Sequence, residues 1–429
     1  MFRHPDPEVL VVGAGPVGLV AALFLQQHGV RVEVVDMHQR TTQHSYALAI
    51  HPRTLRILDE AGLSEALIRA GRKLTKVAYY EGRERRAEID YSALASKHPY
   101  LLVLRQSLLE RAAEEALRQK QLKVLWGHRL QSLGADEATP RVEVARLDQV
   151  ASGYPVARTE WVVARSETIR PAYVIGADGY DSAVRRMAGI EMEAYGAGQV
   201  FSVYEIEAAG ELPPEVRVIL DPGLTSVYWP LEEGRCRWGF QIQDASGHEA
   251  SMERLQQLIA ARAPWCTARP TQIYWSTVAS FESRLARSFG KGGIWLAGDA
   301  AHQAAPVGVH SMNSGLVEAR ELAGRMTQIL RAGGAAPLLE EFATRTHEAW
   351  QGLLDASVQP RTGRAAGTPS GWEVRALPGA DPWVRQASAR ILACVPASGD
   401  DLEPLLKQIG LTVSLPAERY GETSPEPSA

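Results

Sequence analysis

The chain has 429 residues, a net charge of −4, 45% hydrophobic and 22% charged residues, which is the make-up of a globular protein with a core of ordinary size. No basic run with interleaved aromatics is present, so nucleic acid is not an expected partner. The three cysteines, Cys236, Cys266 and Cys394, form neither a disulfide framework nor a zinc spacing, so no metal and a reducing, cytoplasmic setting are expected.

From Val9 to Leu25 no charged residue occurs. The flank MFRHPDPE carries acids rather than a basic run, no stop-transfer segment follows, and a membrane span needs about 20 apolar residues. No membrane span is expected. Within this run lies VLVVGAGPVGLVAALFLQQHG. VLVV reads as a buried strand, and Gly13, Gly15 and Gly18 fit G-x-G-x-x-G at the entry to a helix that stops at Gly29. A second strand, VRVEVV, closes on Asp36. Gly13 permits the tight turn, Gly15 lets the backbone approach a pyrophosphate, and Gly18 lets helix and strand pack closely. Asp36 is placed to accept from a ribose diol. Strand, helix, strand and acid in this order predict a dinucleotide site without separating NAD from FAD.

In LVLRQSLLERAAEEALR, residues 102–118, Ser107 and Glu110 read as a capping box, so a helix is predicted to start near Ser107. Arg105 and Gln106 then end a strand and point toward the phosphates of the first motif. Residues 141–171 read as a β-meander. In YVIGADGYDSAVRR, residues 173–186, a buried strand runs into the Asp178-Gly179 turn, and Ser182 opens a short helix.

Between about Gly189 and Phe281 the pattern turns to strands. In RCRWGFQI, Cys236, Trp238, Phe240 and Ile242 fall on one face, and Arg235, Arg237 and Gln241 on the other. TSVYWPL reads as its hairpin partner across Glu232, Glu233 and Gly234, and KVAYYEG within residues 73–100 adds strands to the same layer.

GDAAHQAAPVGVHSMNSG, residues 298–315, follows the apolar run IWLA and leads into NSGLVEARELAGRMTQIL. There Leu316, Ala319, Leu322, Met326 and Ile329 recur at helical spacing. Beyond Trp350, RTGRAAGTPSGW has linker composition. PWVRQASARILACV and SGDDLEPLLKQIGL read as helices, with Ser398 and Asp401 suited to an N-cap. YGETSPEPSA is predicted to be disordered.

Taken together and in this order, GAGPVG, AIHPRTLRILDEAGL, LRQSLLE, GADGYDSAVR and GDAAHQAAPVG make the chain resemble the FAD-dependent monooxygenases of the aromatic-hydroxylase type, the group of p-hydroxybenzoate hydroxylase. The likeness runs from Val9 to the helix near Trp350. It implies an α/β fold: a Rossmann-type FAD-binding domain (1–72, 101–188, 282–360) with an inserted β-sheet substrate domain (73–100, 189–281). A helical C-terminal segment (361–418) and a disordered tail (419–429) complete it. Either closure over the pocket or a homodimer contact is open to the C-terminal segment.

The resemblance also assigns residues. Gly13, Gly15, Pro16, Val17, Gly18, Asp36, Arg105, Leu130 and Asp178 would contact FAD. Asp299 would accept from its ribityl chain, while Ala300 and Ala301 leave room for it. Pro306 through Ser311, Gly308 among them, would line the isoalloxazine, and Met312 and Asn313 would offer amides to its N1/C2=O edge. The helix that follows would turn its positive end to the negative charge of a reduced flavin. Pro306 and His310 are the catalytic candidates, although a lone loop histidine also suits plain packing. His302 is expected to pack beside Asp299. Tyr204, Tyr228, Trp238 and Phe240 are candidates to line the substrate pocket, with core aromatics of a sheet as the plainer reading.

The chemistry implied is reduction of FAD by NAD(P)H, addition of O2 at C4a, and transfer of one oxygen atom from the hydroperoxide to a small, mostly apolar, aromatic substrate. Three departures from the family pattern stand out: Val309, His310 and Ser311 in place of Gly-x-Gly; Ser45, Tyr46 and Ala47 in place of Arg-Ala; and Asp36 where Glu is common. A flavin dehydrogenase or reductase on the same scaffold, and a non-catalytic Rossmann-type binding protein, are the alternatives. The retained Asp36, Arg105 and Asp299 count against the second.

Overall fold

The computed structural model describes residues 6–40, 49–136, 139–152, 158–232, 234–243, 250–333, 337–357 and 373–414. Ser45, Tyr46 and Ala47, Glu233 of the hairpin turn, the linker at 361–372 and the tail at 419–429 lie outside them. The elements that position the site begin with β1 (Val9–Val12), α1 (Pro16–Gln27), β2 (Val32–Asp36), α2 (Pro52–Glu60), α3 (Gln106–Gln119), β3 (Val124–Trp126) and β4 (Tyr173–Gly176). There follow β5 (Gln199–Ala209), β6 (Leu224–Pro230), β7 (Arg235–Ile242), α4 (Met252–Arg262) and β8 (Arg269–Phe281). Last come β9 (Ile294–Leu296), α5 (His310–Ala332), α6 (Pro337–Ser357) and α7 (Pro382–Cys394).

A six-stranded sheet runs in the order Gly290–Lys291, β9, β4, β1, β2, β3. All neighbours are parallel except the first pair. VLVV is buried at every position because β1 lies mid-sheet with both faces covered. β1 is flanked by β2, which follows it, and by β4, which comes much later. The chain therefore departs to opposite sides at β1, and a crevice opens beyond the carboxyl ends of β1, β4 and β9. Gly13 sits at φ +107°, and a Cβ there would collide with the Ala177 carbonyl; one on Gly18 would collide with the Gly13 carbonyl. Both glycines act through backbone contact, as the motif requires.

A seven-stranded sheet runs in the order β8, β5, β7, β6, Val216–Asp221, Lys76–Glu81, Glu84–Asp90. Tyr204, Trp238 and Tyr228 are register neighbours across β5, β7 and β6, and Phe240 lies two residues along the same face of β7. Trp238 stacks on Phe240 at 5.2 Å and meets Tyr228 at 4.9 Å with the rings tilted by 53°. All four are buried with Trp265 and the α4 residues Leu255, Leu258 and Ile259. They are core between sheet and helix, not pocket lining, which corrects the substrate-contact expectation. The alternation expected of β7 is present, but α4 covers that face, and the opposite one, with Phe201 and Val203, meets the main core.

The meander is a three-stranded antiparallel sheet of His128–Asp136, Thr139–Ser152 and Arg158–Ile169. Two expected caps are absent. α3 starts at Gln106 with Arg105 as its N-cap residue and no side-chain cap; Glu110 instead accepts from Gln106 Nε2 at 2.8 Å. Ser398 Oγ faces His51 Nδ1 at 3.2 Å, while Asp401 pairs with Arg56. The C-terminal segment adds an unforeseen strand pair, Glu373–Ala376 with Leu411–Ser414. It is built into the core through Ile391, Leu392, Val395, Leu405 and Leu406. Tyr91 donates to the Pro396 carbonyl at 3.0 Å, and Arg390 to the Asp221 carbonyl at 2.8 Å. Among the described residues no helix is long and apolar enough to cross a membrane.

Because Phe240 is core, Phe240→Ala is expected to lower unfolding stability by about 3–5 kcal/mol, measured by urea denaturation, and to leave ligand affinity of the folded fraction unchanged.

Candidate functional site

At the carboxyl ends of β1, β4 and β9 lies a cavity of about 710 Å³, within the range of small-molecule sites, roughly 300–1,000 Å³. Five chain segments meet in it: Gly15, Pro16 and Val17 at the start of α1; Gln106 at the start of α3; Ala177, Gly179 and Tyr180 after β4; Ala279 to Glu282 and Arg284 at and beyond the end of β8; and Ala297 and Asp299 with Gln303 to Pro306 and Val309 to Met312. Gly15 has φ −74°, and a Cβ added to it would meet nothing within 4 Å. Its backbone thus faces open cavity at a helix N-terminus, where unsatisfied N–H groups favour an anion.

Asp299 sits in the turn Gly298–Ala300, directly after β9. Gly298 is at φ +63°, and a side chain there would press on Val17, so the turn lies close against the first motif. The Asp299 side chain is exposed toward the cavity. The cavity walls around it restrict its hydration and push its carboxyl above the usual range, with His302 opposing the shift and Glu318 reinforcing it.

The start of α5 forms the opposite wall. Ser311 Oγ accepts from the Ala304 amide at 3.0 Å, which ties the small-residue loop to the helix. Val309, the residue before the helix, has φ +52° and ψ 35°. A β-branched residue in the left-handed region is strained, by roughly 1–3 kcal/mol, and this is the place where the family pattern has glycine. His310 is buried against the C-terminal segment, 6.0 Å from His51 and edge-on to it. Loss of hydration pushes the His310 imidazole down to about 4, with backbone groups of Leu392 and Ala393 opposing. It is held neutral.

Several expected cofactor residues do not line the cavity. Asp36 Oδ2 accepts from the Ala14 amide at 2.7 Å and Oδ1 from the His38 amide at 2.8 Å, so this carboxylate braces the glycine loop. Arg105 is turned away, into an ion pair with Glu205 on β5, which also accepts from Arg237 Nη2 at 2.7 Å. Its neighbour Gln106 reaches the cavity instead. Leu130 is a core residue. Asp178 caps the short helix Ala183–Met187, accepting from the Ala183 amide at 2.7 Å and Ser182 Oγ at 2.5 Å. Gly308 is buried, its carbonyl 3.0 Å from His51 Nε2. The Asn313 amide spans the His51 N–H at 2.8 Å, the Ala49 carbonyl at 2.9 Å and the Val309 carbonyl at 2.8 Å, so it fixes the entry of α5 to its neighbours.

Tyr180, Phe281, Glu282 and Arg284 line the cavity without having been singled out; nothing local in their motifs marks them. Glu318 was also missed, although its spacing from Gly315 and Leu322 puts an acid on the buried face of α5, which is a readable signal.

An unfolded chain protonates histidine near pH 6.5, whereas folded His310 resists to about 4. Between these values the unfolded state binds more protons, so stability is full above about 6.5 and declines as pH falls toward 4. His51, driven well below its ordinary value by burial and then by His310, acts in the same direction. A lower melting temperature at pH 5 than at pH 7 is expected, with a shallower slope in His310→Gln.

The sequence profile of a family described as FAD binding domain matches residues 6–357. Among curated relatives, a 6-methylpretetramide 4-monooxygenase of Streptomyces rimosus is 27% identical over 342 residues, covering 79% of this chain and 58% of the relative. A pentachlorophenol 4-monooxygenase of Sphingobium chlorophenolicum is 25% identical over 363 residues, covering 83% and 64%. The chain thus spans about three fifths of the length of these relatives. The crystal structure of a p-nitrophenol 4-monooxygenase from Pseudomonas putida DLL-E4 superposes with a TM-score of 0.72 at 21% identity, over 91% of this chain and 94% of that one, and shares the fold. Since the matched region takes in the glycine loop, the Asp299 turn and all of α5, the chain belongs to the FAD-binding-domain family, that of the FAD-dependent aromatic hydroxylases.

Proposed function

We propose that the chain is an FAD-dependent monooxygenase that uses NAD(P)H and O2 to hydroxylate or epoxidise a small, mostly apolar, aromatic substrate. One observation carries the reading: the bare Gly15 backbone, the Asp299 carboxylate and the start of α5 converge on a single cavity. A cradle that a Cβ would fill, two helix N-termini and the Asp299 carboxylate form a donor and acceptor set that fits FAD.

FAD, when bound, supplies the redox and oxygen-transfer chemistry, with hydride from NAD(P)H and oxygen from O2. The residues of this chain supply the rest. Amides at the start of α1 would hold the pyrophosphate. The Asp299 carboxylate would accept from a ribityl hydroxyl, and amides of Ser311 and Met312 would face the flavin edge, where the α5 dipole favours negative charge. Ala304, Ala305, Pro306 and Phe281 offer apolar walls that exclude water from the reacting ring. Neutral His310, buried at the cavity wall against the C-terminal segment, is read as a supporting group.

The FAD-loaded protein should oxidise NAD(P)H faster in the presence of a subset of phenols, quinolones and indoles, with product mass raised by one oxygen from labelled O2. Oxidation with no oxygen incorporated on any of them would point to a dehydrogenase. Gly15→Val, at a φ that valine tolerates, should keep the fold and weaken FAD binding more than tenfold, read by flavin fluorescence.

A further inference from the structure

We propose that Glu318, on the buried face of α5, is a positioning residue that fixes the Asp299 turn in the cavity. The proposal rests on the flavin reading above. Glu318 is 3% exposed. Its carboxylate accepts from the Gly298 amide at 3.0 Å and from Trp350 Nε1 at 3.0 Å, and meets His302 Nε2 at 2.8 and 2.7 Å. Gly298 precedes Asp299 directly, and His302 follows the turn, so one side chain grips the loop on both sides of the residue that faces the cavity.

The neighbours hold Glu318 in turn. The His302 ring lies flat on Trp350, centroids 3.8 Å apart and planes 17° from parallel. His302 Nδ1 has no partner among the described residues, which assigns the ring proton to Nε2, facing Glu318. Gly298 has no side chain with which to anchor itself, and its φ of +63° is available to few other residues; its amide is the handle. Arg185 Nη1 donates to the Ala300 carbonyl at 3.1 Å and holds the far edge of the same turn. An apolar residue at 318 would pack without the desolvation penalty of a buried carboxylate, but it would release the Gly298 amide.

The test is a titration of the full-length, FAD-stripped protein with FAD, read by flavin fluorescence, in wild type, Glu318→Gln, Trp350→Phe and the double variant. In Glu318→Gln the amide oxygen can serve Gly298 and the His302 Nε2–H, both in reach of the same carboxylate oxygen, but its NH2 then confronts the Trp350 N–H, donor against donor. FAD binding should weaken at least tenfold. Adding Trp350→Phe removes the opposing donor and should recover half or more of that loss, although Trp350→Phe alone gains nothing. A role in bulk packing predicts the reverse, since each truncation would then add to the damage. Wild-type affinity in Glu318→Gln, or a double variant weaker than Glu318→Gln, overturns the proposal. A wild-type chain that binds no FAD overturns the flavin reading itself, and this inference with it. Should Glu318→Gln fail to fold, amide exchange decides: Trp350→Phe should speed exchange across residues 297–303 relative to β1, and an unchanged rate overturns the proposal.

Discussion

The rest of the molecule depends on a backbone-to-backbone contact: β1 turns into α1 at Gly13 and Gly18, where there is no room for a single side-chain carbon. That closeness brings the α1 N-terminus level with the ends of β4 and β9. Asp299 can then stand across from Gly15, with Val17 filling the space between Gly298 and Gly315. A bulkier residue at Gly13, Gly18, Gly298 or Gly315 would push the helix off the sheet and open a gap where the cavity now has a wall. Hydrophobic burial makes the layers, but steric absence aligns them.

Against that frame of small residues stand a few buried charges. Glu205 bridges Arg105 and Arg237 between the end of β7's sheet and the start of α3, and its carboxyl stays below the usual range because Arg237 and Arg105 outweigh its burial. Glu318 ties a turn, a histidine and a tryptophan from three elements. Such groups are poor sources of net stability, since desolvation offsets most of their attraction. They are good at specifying one arrangement, because any other leaves a charge unpaired.

The parts legible in the sequence are those whose cause is local. The βαβ start, the meander, the DG turn and the apolar stripe of α5 each follow from spacing and turn chemistry within a short window, and Gly15, Asp299, Ser311 and Met312 line the cavity. Residues whose role depends on a distant partner could not be read this way. The face of β7 that carries Trp238 and Phe240 is determined by α4 settling on it, not by the alternation of the strand. Arg105 looked like a phosphate ligand because nothing nearby revealed Glu205, a hundred positions on. Ser107 and Ser398 had the right neighbours for caps, yet Gln106 and His51 offered Glu110 and Ser398 better-placed partners. The C-terminal segment, open in the sequence to pocket closure or a dimer contact, packs into the core through partners far away in the chain: Tyr91, Arg56 and the Asp221–Leu224 turn.

Val309 gives the loop a particular mechanical character. Glycine at that position could drift through wide areas of conformational space, so the loop would flex by degrees. A branched residue caught at positive φ has almost no intermediate resting places: it either remains in its narrow well or snaps to a distant one. The wall beside Ser311 should therefore behave as a bistable catch, firm through most thermal motion and abrupt when it yields.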